Sequence, residues 1–180
     1  MLAGQVGLAL SVGACVALHP GFVLKANEGG LSNYGIHLKT ALPYTTGFVA
    51  AAGSSLWAAR VVTRATSVAR RLRVVLLAYG VLMTLTMLST YVYSLDATWK
   101  NVHVAVGVIG AVFEVVATWW MSQVTPRLTP VFVVQAVGFA VAALTFAGAW
   151  HLLFASQVVT GAAFALALVR TTREVSATAN

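Results

Sequence analysis

Eleven residues separate a histidine from a glutamate in the stretch Lys100 to Met121, KNVHVAVGVIGAVFEVVATWWM. At 3.6 residues per turn, that spacing returns His103 and Glu114 to within roughly 20° of one another around a helix, with about 16 Å of rise between them. Gly107 and Gly110 lie along the same stripe. A carboxyl group in the middle of an apolar helix costs several kcal/mol unless it is protonated, paired or hydrated, so such a residue marks a functional hypothesis. No lysine or arginine falls at comparable depth in any predicted span, which leaves Ser11, Thr84, Thr86, Gln135 and Thr145 as candidate hydrogen-bonding neighbours for Glu114. The plainer alternative is a neutral glutamic acid that ties helices together.

Three other histidines, His19, His37 and His151, accompany His103 near the ends of apolar segments, as do the acids Glu28 and Asp96. Imidazole and carboxylate together suit three chemistries. A Zn²⁺ ion held by His19, His103 and His151 could activate water against a lipid ester or amide, although no H-E-x-x-H motif is present. Two histidines facing one another at equal depth could hold a haem. A pocket for a lipid or small amphiphile could use His103 and Glu114 as polar contacts without catalysis. Histidine is also at home at a membrane interface, where one edge of the ring meets head groups or water, so the residue types alone leave the cofactor and any catalytic residue unassigned.

The elements that must position these residues follow from composition. Of the 180 residues, 59% are hydrophobic and 8% charged, against roughly 25% charged in soluble domains. Such a chain cannot cover a water-facing surface, and the sequence reads as an all-α integral membrane bundle in a single domain. Six transmembrane helices are predicted at about 2–24, 42–59, 74–93, 101–121, 131–150 and 152–169. One cysteine, Cys15, excludes an internal disulfide framework. The net charge of +7 does not imply nucleic acid, because the basic residues flank apolar segments.

Met1 to Gln5 lacks the charged start of a secretory signal, and Gly13 fits a lipoprotein cleavage box poorly, so the first segment is expected to remain a span. Gly4, Gly7, Ser11, Cys15 and His19 recur at spacings of three and four, a small or polar face suited to close helix packing. Pro20 is expected to kink or end this helix. Lys25 to Tyr44 reads as an extramembrane loop long enough to cap a cavity. Arg60 to Arg73 holds five arginines and no acid, and part of it reads as an interfacial amphipathic helix or a topology anchor. The tail from Arg170 is expected to fray.

With six spans and both termini cytoplasmic, eight arginines (60, 64, 70, 71, 73, 127, 170 and 173) fall inside and Lys25, Lys39 and Lys100 outside, a clear positive-inside bias. This assignment puts all four histidines at the outer side. It also makes His103 part of an outer cluster with His19, His37, Asp96 and His151, and leaves Glu114 as a separate buried acid.

Retinal would need an intramembrane lysine, and all three lysines flank spans. No glycine-rich phosphate loop or G-x-S-x-G elbow occurs. The run Asn27 to Gly35, NEGGLSNYG, together with the His103-led HVAVGVIGAVF, resembles a small bacterial multi-span membrane family of unknown function that looks like the DRAM and Sfk-type proteins. That resemblance implies about six helices and a short polar first outer loop; it implies no reaction. The leading expectation is a bacterial inner-membrane protein whose outward-facing pocket binds a lipid or small amphiphile, with His19, Glu28, His37, Asp96, His103, Glu114 and His151 as candidate contacts. A metal-dependent membrane hydrolase is the alternative. A structural subunit packing its small-residue stripes against partner membrane proteins or a second copy is another.

Overall fold

The computed structural model describes residues 1–62 and 66–177. Arg64 of the charge count and the last three residues of the tail lie outside them. The described residues are almost entirely helical, with no strand: α1 (Leu2–Leu18), α2 (Val23–Gly29), α3 (Ser32–Gly35), α4 (Ala41–Val61), α5 (Ser67–Val92), α6 (Ala97–Val124), α7 (Thr129–Phe146) and α8 (Leu153–Ala177). Four of these elements, α5, α6, α7 with its preceding 3-10 turn, and α8, are long and apolar enough to cross a membrane. A fifth counts if α1 and the bent segment after it form one span.

Each long helix packs on its neighbour in the chain, and α8 returns to touch α1, α2, α5 and α6. Phe164 of α8 is fully buried and meets the rings of Tyr79 on α5 and Phe113 on α6, which makes α8 the inner helix of the bundle. Short turns between neighbouring long helices make them antiparallel. That arrangement gathers Arg60, Arg70, Arg71, Arg73, Arg127, Arg170 and Arg173 at one end and Lys25, Lys39 and Lys100 at the other. Thr125 Oγ1 donates to Glu174 Oε2 at 2.6 Å at the arginine end, tying the foot of α6 to the foot of α8.

The boundaries move for local reasons. The first predicted span stops at Leu18 instead of continuing to Leu24, because Pro20 ends it and the chain turns through 97° into a 3-10 turn and α2. Lys25 to Tyr44 is folded rather than looped: α2 and α3 lie across the end of the bundle, and Gly30 joins them at φ +86°. Among the described residues of the stretch Arg60 to Arg73, none forms a separate interfacial helix. Arg60 closes α4, and Arg70, Arg71 and Arg73 belong to the first turns of α5, which Thr66 caps by accepting from Ala69 N at 3.1 Å. The fifth span ends at Phe146, not Trp150, where Gly148 takes φ +77° in the turn. The tail is helical to Ala177 instead of frayed from Arg170.

The small face of α1 does pack closely. A Cβ on Gly4 would lie 1.9 Å from Ser54 Oγ, and one on Gly47 of α4 would lie 2.6 Å from Ser11 Cβ. Further along the same face, Cys15 Sγ donates to the Thr40 carbonyl at 3.6 Å. Small residues here let two backbones approach, so a larger side chain must push the helices apart. Gly4→Leu is therefore expected to destabilise the detergent-solubilised protein by about 1–3 kcal/mol, the usual cost of overpacking. Gly13→Ala, at a position with nothing within 4 Å, should instead match the parent or gain up to about 1 kcal/mol as a helix-interior glycine is replaced, in the same thermal denaturation series.

Candidate functional site

The α6 stripe identified by His103 and Glu114 does not close on a neighbour. Lys100, His103, Val104, Gly107, Val108, Ala111 and Glu114 share one face of the helix and form one wall of a cavity of about 650 Å³. The facing wall is α7, from Gln135 through Phe139, Ala142 and Ala143 to Phe146. Leu153, Gln157 and Thr160 of α8 form the third side, and Glu28, Gly29, Ser32 and Asn33 of the α2–α3 segment line it at the lysine end. Gly107, Ala111, Ala142 and Ala143 account for the space, since larger residues there would fill it. A Cβ at Gly107 would meet nothing within 4 Å.

At the floor, Gln135 Nε2 donates to Glu114 Oε2 at 3.2 Å. Of the five neighbours proposed from sequence for this carboxyl group, Gln135 is the one that reaches it. At the other end, Ser89 Oγ lies 2.8 Å from His103 Nδ1 and donates to the Thr86 carbonyl at 3.0 Å. A hydroxyl has one proton. With that proton on Thr86, His103 donates from Nδ1 and keeps Nε2 as an acceptor. The Tyr93 ring stacks on His103 with centroids 5.0 Å apart, which fixes the imidazole at the rim.

The cap over the cavity is built by the asparagines of the NEGGLSNYG run. Asn27 Oδ1 accepts from Ala155 N at 3.1 Å, satisfying a first-turn amide of α8 that has no partner within its own helix. Asn33 Nδ2 donates to the Lys25 carbonyl at 3.2 Å, and Asn33 Oδ1 accepts from Tyr93 Oη at 2.9 Å. Gln157 Oε1 accepts from Leu31 N at 2.7 Å. A Cβ at Gly30 would come within 3.0 Å of that same Gln157 oxygen, so this position needs glycine for space as well as for its φ. Below the cap, Tyr34 is fully buried with its hydroxyl unpartnered, and burial pushes its phenol above the ordinary value, the nearby Cys15 adding to the shift.

The expected outer cluster divides. His103, Glu114 and Glu28 line one cavity, with His103 and Glu114 towards its opposite ends. His19 and His37 instead pair with each other, Nε2 to Nε2 at 3.1 Å, with Phe22 stacked on His19. Asp96 is the N-cap of α6, accepting from Trp99 N at 3.0 Å. His151 is exposed in the turn before α8. The trio His19, His103 and His151 considered for zinc therefore does not assemble: each ring is in a different local setting, and among the described residues no three His, Cys, Asp or Glu are placed to hold a metal ion. No protein-family model, curated protein or solved structure matches the chain.

Gln157→Ala leaves the Leu31 amide without its acceptor. It is expected to cost about 1–3 kcal/mol of local cap stability, read as faster amide hydrogen exchange across Gly29 to Ser32 with unchanged exchange in α4 and α5.

Proposed function

We propose that this chain is a six-span protein of a bacterial inner membrane, with its arginine-rich end cytoplasmic, whose cavity binds a single-chain lipid or another small amphiphile. The observation that carries this reading is the order of side chains along the cavity. Charged and polar groups (Lys100, Glu28, His103, Asn33) ring one end, apolar Val104, Val108, Phe139 and Phe146 line the middle, and Glu114 with Gln135 closes the other end. A lining of apolar walls with a few fixed polar groups is the usual form of a small-molecule site, and about 650 Å³ is in the range of such sites.

Six spans are supported by the hairpin arrangement and by the charge asymmetry between the two ends of the bundle. Helix α4, less apolar than the rest, would cross because its small and polar residues face α1 and α5: Ala51, Ser55 and Ala59 are fully buried. The α2–α3 cap would then face the outer side. The DRAM and Sfk-type resemblance, carried by the cap residues and the His103-led helix, points to the same region of the molecule.

Filling the cavity tests this reading. Gly107→Leu places a side chain in open space and replaces a helix-interior glycine, which is worth up to about 1 kcal/mol to the helix. The variant should be as stable as the parent or slightly more so. Lipid extraction and mass spectrometry of protein purified in mild detergent should find one amphiphile class near stoichiometric in the parent and depleted at least about tenfold in Gly107→Leu, equivalent to roughly 1.4 kcal/mol. Equal amounts in both would overturn the reading.

A further inference from the structure

The polar floor of the cavity specifies the ligand's head group, and we infer that it takes a protonated amine carrying N–H donors, so that the amphiphile is a cationic alkylammonium-type molecule. The inference rests on the cavity being a binding site. Three groups in the lining bear on it. Glu114 has Gln135 Nε2 as its one side-chain hydrogen-bonding partner among the described residues, and a carboxylate can accept several bonds. Gln135 is 1% exposed, lines the cavity, and leaves Oε1 buried without a partner. A bound ammonium favours the ionised form of Glu114, which accepts from Nε2 and leaves Gln135 Oε1 free for the ligand. His103, at the rim, presents Nε2 as an acceptor in its Nδ1–H tautomer.

The floor therefore offers acceptors on two side chains, the Glu114 carboxylate oxygens and Gln135 Oε1. A buried acceptor without a partner is costly, and a ligand that donates to Gln135 Oε1 while meeting Glu114 relieves both this deficit and the isolation of the acid. An ammonium group does so with its N–H bonds, which are charge-assisted at the carboxylate. Carboxylate and phosphate head groups bring only further acceptors and negative charge. A bare hard cation would need six or more oxygen ligands, and the floor supplies two side chains among apolar walls. The apolar middle of the cavity then receives the alkyl chain, which runs towards the His103 rim about 16 Å away along α6.

The experiment uses the purified full chain in neutral detergent, with dodecylamine, dodecyltrimethylammonium and dodecanol as probes and equilibrium binding of each measured in the parent, Gly107→Leu, Glu114→Gln and Gln135→Leu. The expected result is dodecylamine bound at least about tenfold more tightly than either other probe, with that preference falling to within about twofold in Glu114→Gln and Gln135→Leu. Gln135→Leu removes the unpartnered amide and keeps the inference testable if Glu114→Gln does not fold. Equal affinity for all three probes, blocked by Gly107→Leu, would leave the amphiphile site standing and overturn the head-group assignment. Binding of every probe unaffected by Gly107→Leu would overturn both.

Discussion

The hydrogen bond between Gln135 and Glu114 is the hinge pin of the candidate site. On one side of it α6 and α7 are joined by the turn around Pro126, whose missing N–H and fixed φ suit a helix start, followed by Pro130 in the first turn of α7. On the other side the two helices face each other across Gly107, Ala111, Ala142 and Ala143, and the cavity lies between them. One polar contact near the middle of α6 thus gives the acid its one side-chain hydrogen bond among the described residues and stands where the cavity between the two helices begins. In an apolar surrounding that contact has no water to compete with it, which is why two such residues facing one another are informative.

Small residues do opposite things in the two halves of the bundle. Between α1 and α4 they allow contact so close that an added Cβ would collide with Ser54 or Ser11. On α6 the same residue type leaves a void, because α7 presents Ala142 and Ala143 and no bulky side chain fills the gap. The difference lies in the partner helix and cannot be assigned from the stripe alone. The cap follows a similar logic: Asn27, Asn33 and Gln157 spend their side chains on backbone groups and on Tyr93, so the segment over the cavity is held by directional bonds as well as by burial of Ala26 and Tyr34 in the core.

These contrasts explain what was readable from the chain. Hydropathy and the placement of arginines located the long helices, and the 3-4 periodicity of Gly4, Gly7 and Ser11 located the α1–α4 contact. The candidate role of Gln135 was also legible, since 114 and 135 lie almost equally far from the turn at Thr125 and must share a depth in an antiparallel hairpin. The pairing of His19 with His37 was not, because it depends on the 97° bend after α1 and on α3 folding back across the bundle end. Asp96 looked like a site acid and is a helix cap; Ala97 onwards has a strong helix pattern, and the residue before it was the natural N-cap. Asn27 and Asn33 were legible as part of a segment long enough to cap a cavity, whereas their partners Tyr93 and Gln157 were not, since nothing in their spacing ties residue 31 to residue 157.

The central claim is that an amphiphile occupies the space between α6 and α7 rather than the outer surface of the bundle. Photo-cross-linking with a diazirine-bearing alkylamine, followed by peptide mapping, separates the two directly because α6 carries both faces. The account predicts adducts on Val104, Ala111 and the facing Phe139 and Ala143 of the cavity lining. Adducts confined to Ile109 and Val116, which are exposed on the outer surface of α6, would contradict it.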